Sequence, residues 1–247
     1  MYLNFYITGD IHGDVNRIAY FANNIPDSEK SNNALIILGD VGFNFGRKTS
    51  ANYRKQKANQ CRVRVYCVRG NHEDRPENFA KDMVIMFDED IGGEVLLQPK
   101  FDNIRYLRDG ACYNINGNRI LVIGGAYSVD KPWRIMSGDF WYEQELLTTE
   151  EMSAIEKKYT NEHFYAVLSH TGPDLYLPRD QFIAEVDQRT VDYSMELWMD
   201  KFKDKITWDK WLFGHYHVDR QVTSKVRIMY FDILPFILDE DSKIFEF

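Results

Sequence analysis

An α/β protein of two β-sheets packed face to face, with helices on the outer faces, is the fold class this sequence predicts. Three observations carry it. Short apolar runs alternate with helical patterns through the first third of the chain, the rhythm of a sheet with largely parallel neighbours. The second half opens on a hairpin signal and then resumes the alternation. No repeat, low-complexity stretch or Pro/Gly/Ser-rich linker interrupts the 247 residues, so one domain, 1–247, is expected.

The elements follow in order. YLNFYI (2–7) reads as a strand that ends at Gly9-Asp10. Behind it Val15, Ile18, Ala19 and Ala22 recur at helical spacing, with Asp14 as the cap. ALIIL (34–38) is a second buried strand, ending at Gly39-Asp40. A polar, basic helix covers about 49–60, and VRVYCV (63–68) is a third strand. DEDIGGE (88–94) lacks the ligand spacing of a calcium loop and reads as a turn. Asn116-Gly117 lies between two strand-like runs and predicts a tight hairpin. Thr148 and Glu151 form a capping box ahead of Met152, Ile155 and Tyr159. FYAVLSH (164–170) is a further strand. Val191, Met195, Trp198 and Phe202 share one face of a helix over 190–202. KWLFGHYH (210–217) is another strand tip, with VRIMYFDI (226–233) pairing beside it and LDEDSKIFEF (238–247) as an edge strand or tail.

Composition bounds the function. At 44% hydrophobic and 28% charged the chain is globular, and no apolar run approaches a membrane span. The start, MYLNFYITGD, lacks the basic region and cleavage site of a secretory signal, so a cytoplasmic location is expected. Cys61, Cys67 and Cys112 form no CxxC unit and read as small apolar side chains. The net charge is −8, yet between Arg47 and Arg75 nine Lys/Arg face only Glu73 and Asp74. That segment is either a solvated helix face or a local field drawing in an anionic substrate.

Five strand tips carry one kind of chemistry: Asp10 and His12, then Asp40, then Asn71 and His72, then His170, then His215 and His217. Ligands gather at the carboxyl ends of strands in α/β sheets, and each of these tips has a glycine nearby that permits close backbone approach. Asp oxygens, an Asn carbonyl and imidazole nitrogens suit borderline divalent ions: manganese first, with iron or zinc as alternatives. Seven candidate ligands exceed the needs of one tetrahedral ion, whereas two ions bridged by one carboxylate would use them all and could clamp a phosphoryl group. A lone histidine is more often structural, and His163 is read that way.

The blocks GDIHG (9–13), GD (39–40), RGNHE (69–73), SHTGP (169–173) and GHYH (214–217) resemble, in order and interval, the five blocks of the calcineurin-like metallophosphoesterases. The resemblance implies that family's four-layer fold, with one metal held by Asp10, His12 and His217 and the other by Asn71, His170 and His215. Asp40 would bridge them, and a shared water or hydroxide would be the nucleophile. His72 would steady the transition state or protonate the leaving group, and Arg69 would contact phosphate or support its loop. One departure stands out. The phosphoprotein phosphatase branch continues its second block as GDxxDRG, where this chain has Phe43 and Asn44 in place of the Asp and Arg. His72 therefore needs another partner, Glu73 or Asp74 being the candidates, or it acts without one.

The stretch GGAYSVDKPWRIMSGDFWYEQE (124–145) resembles a block in small bacterial and phage metallophosphoesterases of unassigned substrate. Lys131 and Arg134 are its candidate phosphate contacts, and Trp133 and Trp141 could stack on a ring; the alternative is a surface loop anchored by aromatics. The expected substrate is a phosphorylated small molecule or nucleotide-like ester. A nuclease is the second enzyme reading, and a non-catalytic interaction module the third. The sequence leaves the substrate's identity and the oligomeric state open.

Overall fold

The computed structural model describes residues 3–238, so all but the first residue of the acidic segment 238–247 lies outside the described residues. In chain order the elements are β1 (Asn4–Thr8), α1 (Val15–Asn23), β2 (Asn33–Ile37), α2 (Lys48–Gln60), β3 (Arg64–Cys67), α3 (Pro76–Phe79), β4 (Val84–Asp88), β5 (Gly93–Leu97), β6 (Ile104–Leu107), β7 (Cys112–Ile115), β8 (Asn118–Ile123), α4 (Lys131–Ser137), α5 (Thr149–Tyr159), β9 (His163–Ser169), α6 (Ser194–Phe202), β10 (Thr207–Phe213), β11 (Arg220–Gln221), β12 (Val226–Ile228) and β13 (Leu234–Ile237).

They form two mixed sheets. One has seven strands in the order β13-β1-β2-β3-β6-β5-β4, the other six in the order β11-β12-β10-β9-β8-β7. The middle of each is parallel: β1, β2, β3 and β6 in the first, β8, β9, β10 and β12 in the second. The edges are antiparallel.

Strand alternation explains the layers. In β2 and just beyond it, Ala34, Ile36 and Leu38 join Phe5, Ile7, Val122, Ala166 and Leu168 in the core between the sheets. Leu35 and Ile37 face the other way, with Ile18, Phe21 and Ala22 of α1 and Ala58 of α2. The second sheet mirrors this: Leu121, Ile123, Val167 and Phe213 pack on Met152, Ile155 and Tyr159 of α5 and Met195, Met199 and Phe202 of α6. Strands buried on both faces read as unbroken apolar runs, which is why ALIIL was legible as one.

The predicted capping box is present, with Thr148 Oγ1 accepting from the Glu151 N–H and Glu151 accepting from the Thr148 N–H. Asn116 and Gly117 take positive φ in the β7–β8 turn. The helix expected from 190 begins at Ser194 instead, because Asp192 accepts from the Ser194 N–H and turns the chain there. Val191 is left outside that helix. Strands β4, β5, β6 and β13 have no counterpart in the sequence reading.

Candidate metal centre

All five tips meet. β1, β2 and β3 are parallel neighbours, so Asp10 and His12, Asp40, and Asn71 and His72 leave the first sheet at the same end. β9 and β10 are parallel neighbours in the second, delivering His170, His215 and His217. Backbone bonds tie the tips together: His12 N–H donates to Asp40 O at 2.7 Å, and Gly214 N–H to His170 O at 2.9 Å.

Two glycines show how tightly the loops pass. A Cβ on Gly70 would lie 2.0 Å from Asp40 Oδ1, and one on Gly39, at φ +94°, would lie 2.1 Å from the His170 ring. Four of the seven candidate ligands themselves have left-handed backbone: His12 (φ 45°), Asp40 (46°), His215 (68°) and His217 (51°). Asp and His tolerate that region better than most residues, yet each such position costs about 1 kcal/mol or more. Strain gathered at one site is a mark of function.

The two aspartates are held alike. Asp10 Oδ1 accepts from the His215 N–H at 2.9 Å, and Asp40 Oδ1 from the His72 N–H at 2.8 Å. Their Oδ2 atoms face the imidazoles. Asp10 Oδ2 lies 3.4 Å from His217 Nε2 and 3.8 Å from His12 Nε2, yet is buried without a hydrogen bond. Asp40 Oδ2 lies 3.6 Å from His170 Nε2 and 3.7 Å from His12 Nε2. The facing nitrogens of His12 and His217 are 2.8 Å apart. Three groups of donors lie close enough to share an ion: Asp10, His12 and His217; His12, Asp40 and His72; Asp10, Asp40 and His170.

The remaining donors are oriented from behind. His170 Nδ1 is 2.8 Å from Leu38 O, which fixes the tautomer and turns Nε2 inward, 2.7 Å from Asn71 Oδ1. Asn71 Nδ2 donates to Ser128 Oγ at 2.8 Å, so its oxygen is the atom presented. The His215 ring packs 5.0 Å from His170, and Tyr230 stacks on His217 at 4.7 Å and 20°.

Burial pushes the Asp40 carboxyl up, and the imidazoles of His170, His72 and His12 more than offset it, leaving it well below the usual range. For His170, burial favours the neutral ring, but Asp40 and Asp10 raise it to about 9. Burial and His170 hold His215 down at about 3. The chain thus concentrates ionised carboxylate oxygens against imidazoles. An orphaned buried Asp10 oxygen and paired inward nitrogens fit a divalent cation chemically.

The family model for calcineurin-like phosphoesterases matches residues 3–219. The chain belongs to that family. No curated protein matches this phosphoesterase. Among solved structures it is similar to TT1561 of Thermus thermophilus, at 12% identity and TM-score 0.49 over 93% of this chain and 89% of that one. A second solved chain matches at 10% identity and TM-score 0.50, over 93% of this chain and 90% of its own, a likeness of fold. A cold-active protein-tyrosine phosphatase of a psychrophilic Shewanella is similar at 14% identity and TM-score 0.30, over 93% and 71%.

His72 of the phosphoesterase answers the question left by Phe43 and Asn44. Its partners are neither Glu73 nor Asp74. Glu73 is buried and accepts from the Gly42 and Phe43 N–H groups; Asp74 accepts from the Arg75 N–H. Instead α4 reaches in: Asp130 Oδ1 lies 3.7 Å from His72 Nε2, and Arg134 Nη2 3.2 Å from His72 Nδ1. Asp130 and Arg134 are themselves paired at 2.7 Å. Burial lowers the His72 pKa, and Asp130 and Asp40 reverse this to leave it raised. The sequence reading passed over Asp130 because nothing local marks it as a partner of His72.

The other proposed substrate contacts turn inward. Arg69 is buried and donates to Asp109 at 2.7 Å and to the carbonyls of Glu145, Gln144 and Gly124, so its guanidinium supports the loop and is not presented to a phosphate. Arg134 is buried against Asp130, the Phe140 carbonyl and His72, so it reaches the site through His72. Lys131 lies over the Trp141 ring at 4.3 Å, and Trp141 Nε1 donates to Glu145, which leaves neither facing the centre. Trp133 is exposed on α4. Within the stretch 124–145, Asp130 and Arg134 contact His72, and Ser128 accepts from Asn71.

Proposed function

We propose that this chain is a two-metal phosphoesterase that hydrolyses a phosphate monoester or small diester. The observation that carries it is the pair of buried aspartates, each pinned through Oδ1 by a backbone N–H and turning Oδ2 toward imidazoles from other strand tips. Asp10, His12 and His217 would hold one divalent cation and Asn71, His170 and His215 a second, with Asp40 placed to serve either. The mixed set of oxygen and imidazole donors suits manganese, iron or zinc. When bound, the pair supplies Lewis-acid polarisation of phosphoryl oxygens and activation of water.

The protein's own part is positional and acid–base. His72, set between Asp130 and Arg134 beside the donor cluster, is the group placed to give a proton to the leaving oxygen. Arg134 and Asp130 fix its ring. No helix among the described residues is long and apolar enough to cross a membrane. The basic segment gives the nuclease reading only part of the support expected of it: Arg47, Lys48, Lys57 and Arg62 are exposed, while others of its cations are engaged in the fold. Arg54 donates to the Gly42 and Phe45 carbonyls, Lys55 is buried against Gln98, Arg64 pairs with Asp90 and Arg75 with Glu151. Those cations are structural.

Hydrolysis of a chromogenic phosphate ester, read beside metal content, tests the reading. Asp40→Asn should lose metal and activity together. His72→Ala should keep metal and turn over about a hundredfold more slowly. Two variants with wild-type metal and rate would end the proposal.

A further inference from the structure

The metal centre opens into a cavity of about 470 Å³, within the range of small-molecule sites. Beyond the candidate ligands its walls come from segment 181–193, Tyr127, Val129 and Tyr216. The rings of Phe182 and Tyr193 lie within 13° of parallel at 6.4 Å, and those of Phe182 and Tyr216 within 13° at 5.8 Å. Val186 and Val191 add an apolar side.

Charge narrows the occupant. Among the described residues no Lys or Arg lines this cavity, whereas Glu196 and Asp130 do. The nearest cation to the aromatic wall, Arg179, is paired with Asp174 at 2.6 Å behind Phe182 and Tyr193. A leaving group carrying a second phosphate would meet Glu196 and an Asp130 already paired with Arg134, with no Lys or Arg in the wall to receive it. An uncharged ring meets aromatic faces. Glu196, 2% exposed, accepts from Thr171 Oγ1 through Oε1 at 2.8 Å, while Oε2 makes no hydrogen bond. A spare buried acceptor beside stacked rings matches the N–H edge of a base better than a plain aryl group.

We propose that this cavity takes the nucleoside of a nucleoside monophosphate, its base against the Phe182–Tyr193–Tyr216 wall and its single phosphate at the metal centre. The inference rests on the phosphoesterase reading for catalysis, and on the cavity's own lining for selectivity.

The test compares kcat/KM, with manganese added, for nucleoside 5′-monophosphates, the matching diphosphates, glycerol phosphate and a single-stranded oligonucleotide. Free nucleosides are titrated calorimetrically in parallel. The monophosphates should exceed each other class by about tenfold or more. Phe182→Ala and Tyr193→Ala should cut the monophosphate-to-glycerol-phosphate ratio about tenfold, as loss of one base-stacking ring does. Both residues sit on a partly exposed segment, and the wild-type panel alone can refute the proposal. Equal rates on glycerol phosphate, or a preference for diphosphate or oligonucleotide, would overturn it and leave the phosphoesterase standing. Nucleoside binding that Phe182→Ala weakens, without hydrolysis of any ester, would uphold the cavity and sink the catalytic reading. Absence of both would sink the two together.

Discussion

At the scale of single residues, His72 takes its setting from α4. Asp130 raises its pKa and Arg134 bounds the ring on the other side. Asp130→Asn removes the charge and keeps the size. His72 should then lose its proton at lower pH, moving the alkaline limb of the kcat profile down. On that limb kcat should fall, with metal content unchanged. An unmoved limb would mean that Asp130 is structural only. The candidate ligands were legible in the sequence because the tips that carry them follow apolar runs and have a glycine within three residues. Asp130 was not, since a carboxylate that acts across the fold leaves no periodic or local mark. The same holds for Ser128 behind Asn71 and Tyr230 on His217.

At the scale of elements, the strand tips work because their loops pass within van der Waals contact. Gly70→Ala would place a methyl 2.0 Å from Asp40 Oδ1. The loop must shift, at a cost of about 1–3 kcal/mol, and the carboxylate with it. A lower Tm and a manganese affinity weakened at least tenfold are expected, by thermal unfolding and titration; wild-type values for both would show that the tip tolerates displacement. The parallel strands β1, β2, β3 and β9 could be read from their largely apolar runs, since both faces are buried; β6, with Arg105 inside IRYL, could not. β4 could not: Val84, Ile85 and Phe87 are exposed on a sheet edge, so its pattern matches no burial period. β13 contains Pro235, a residue that argues against a strand, but it pairs on the edge beside β1, where a missing N–H is tolerated. Helix α6 started late because an Asx turn at Asp192 outweighed the spacing of Val191.

Across the whole molecule, part of the basic segment braces the fold, while Arg47, Lys48, Lys57 and Arg62 stay exposed. Lys55 is buried, donating to Gln98 Oε1 at 2.7 Å beneath Phe79 and Tyr106, and burial lowers its pKa to about 8. A depressed lysine binds fewer protons folded than unfolded between about pH 8 and its ordinary value of 10.5, so stability should rise with pH through that window. Lys55→Met should therefore be the more stable protein at pH 7, by about 3 kcal/mol at most, and the gap in Tm should narrow toward pH 10. A gap that widens would place the charge in a favourable site. The wider account depends on two sheets presenting their donors to a common point. Metal content of the purified, manganese-loaded chain measures this most directly, by elemental analysis with anomalous scattering to locate the ions. The account predicts two ions per chain, one against Asp10, His12 and His217 and one against Asn71, His170 and His215, with Asp40 between. A chain that retains none, or a single ion bound away from Asp10 and Asp40, would contradict it.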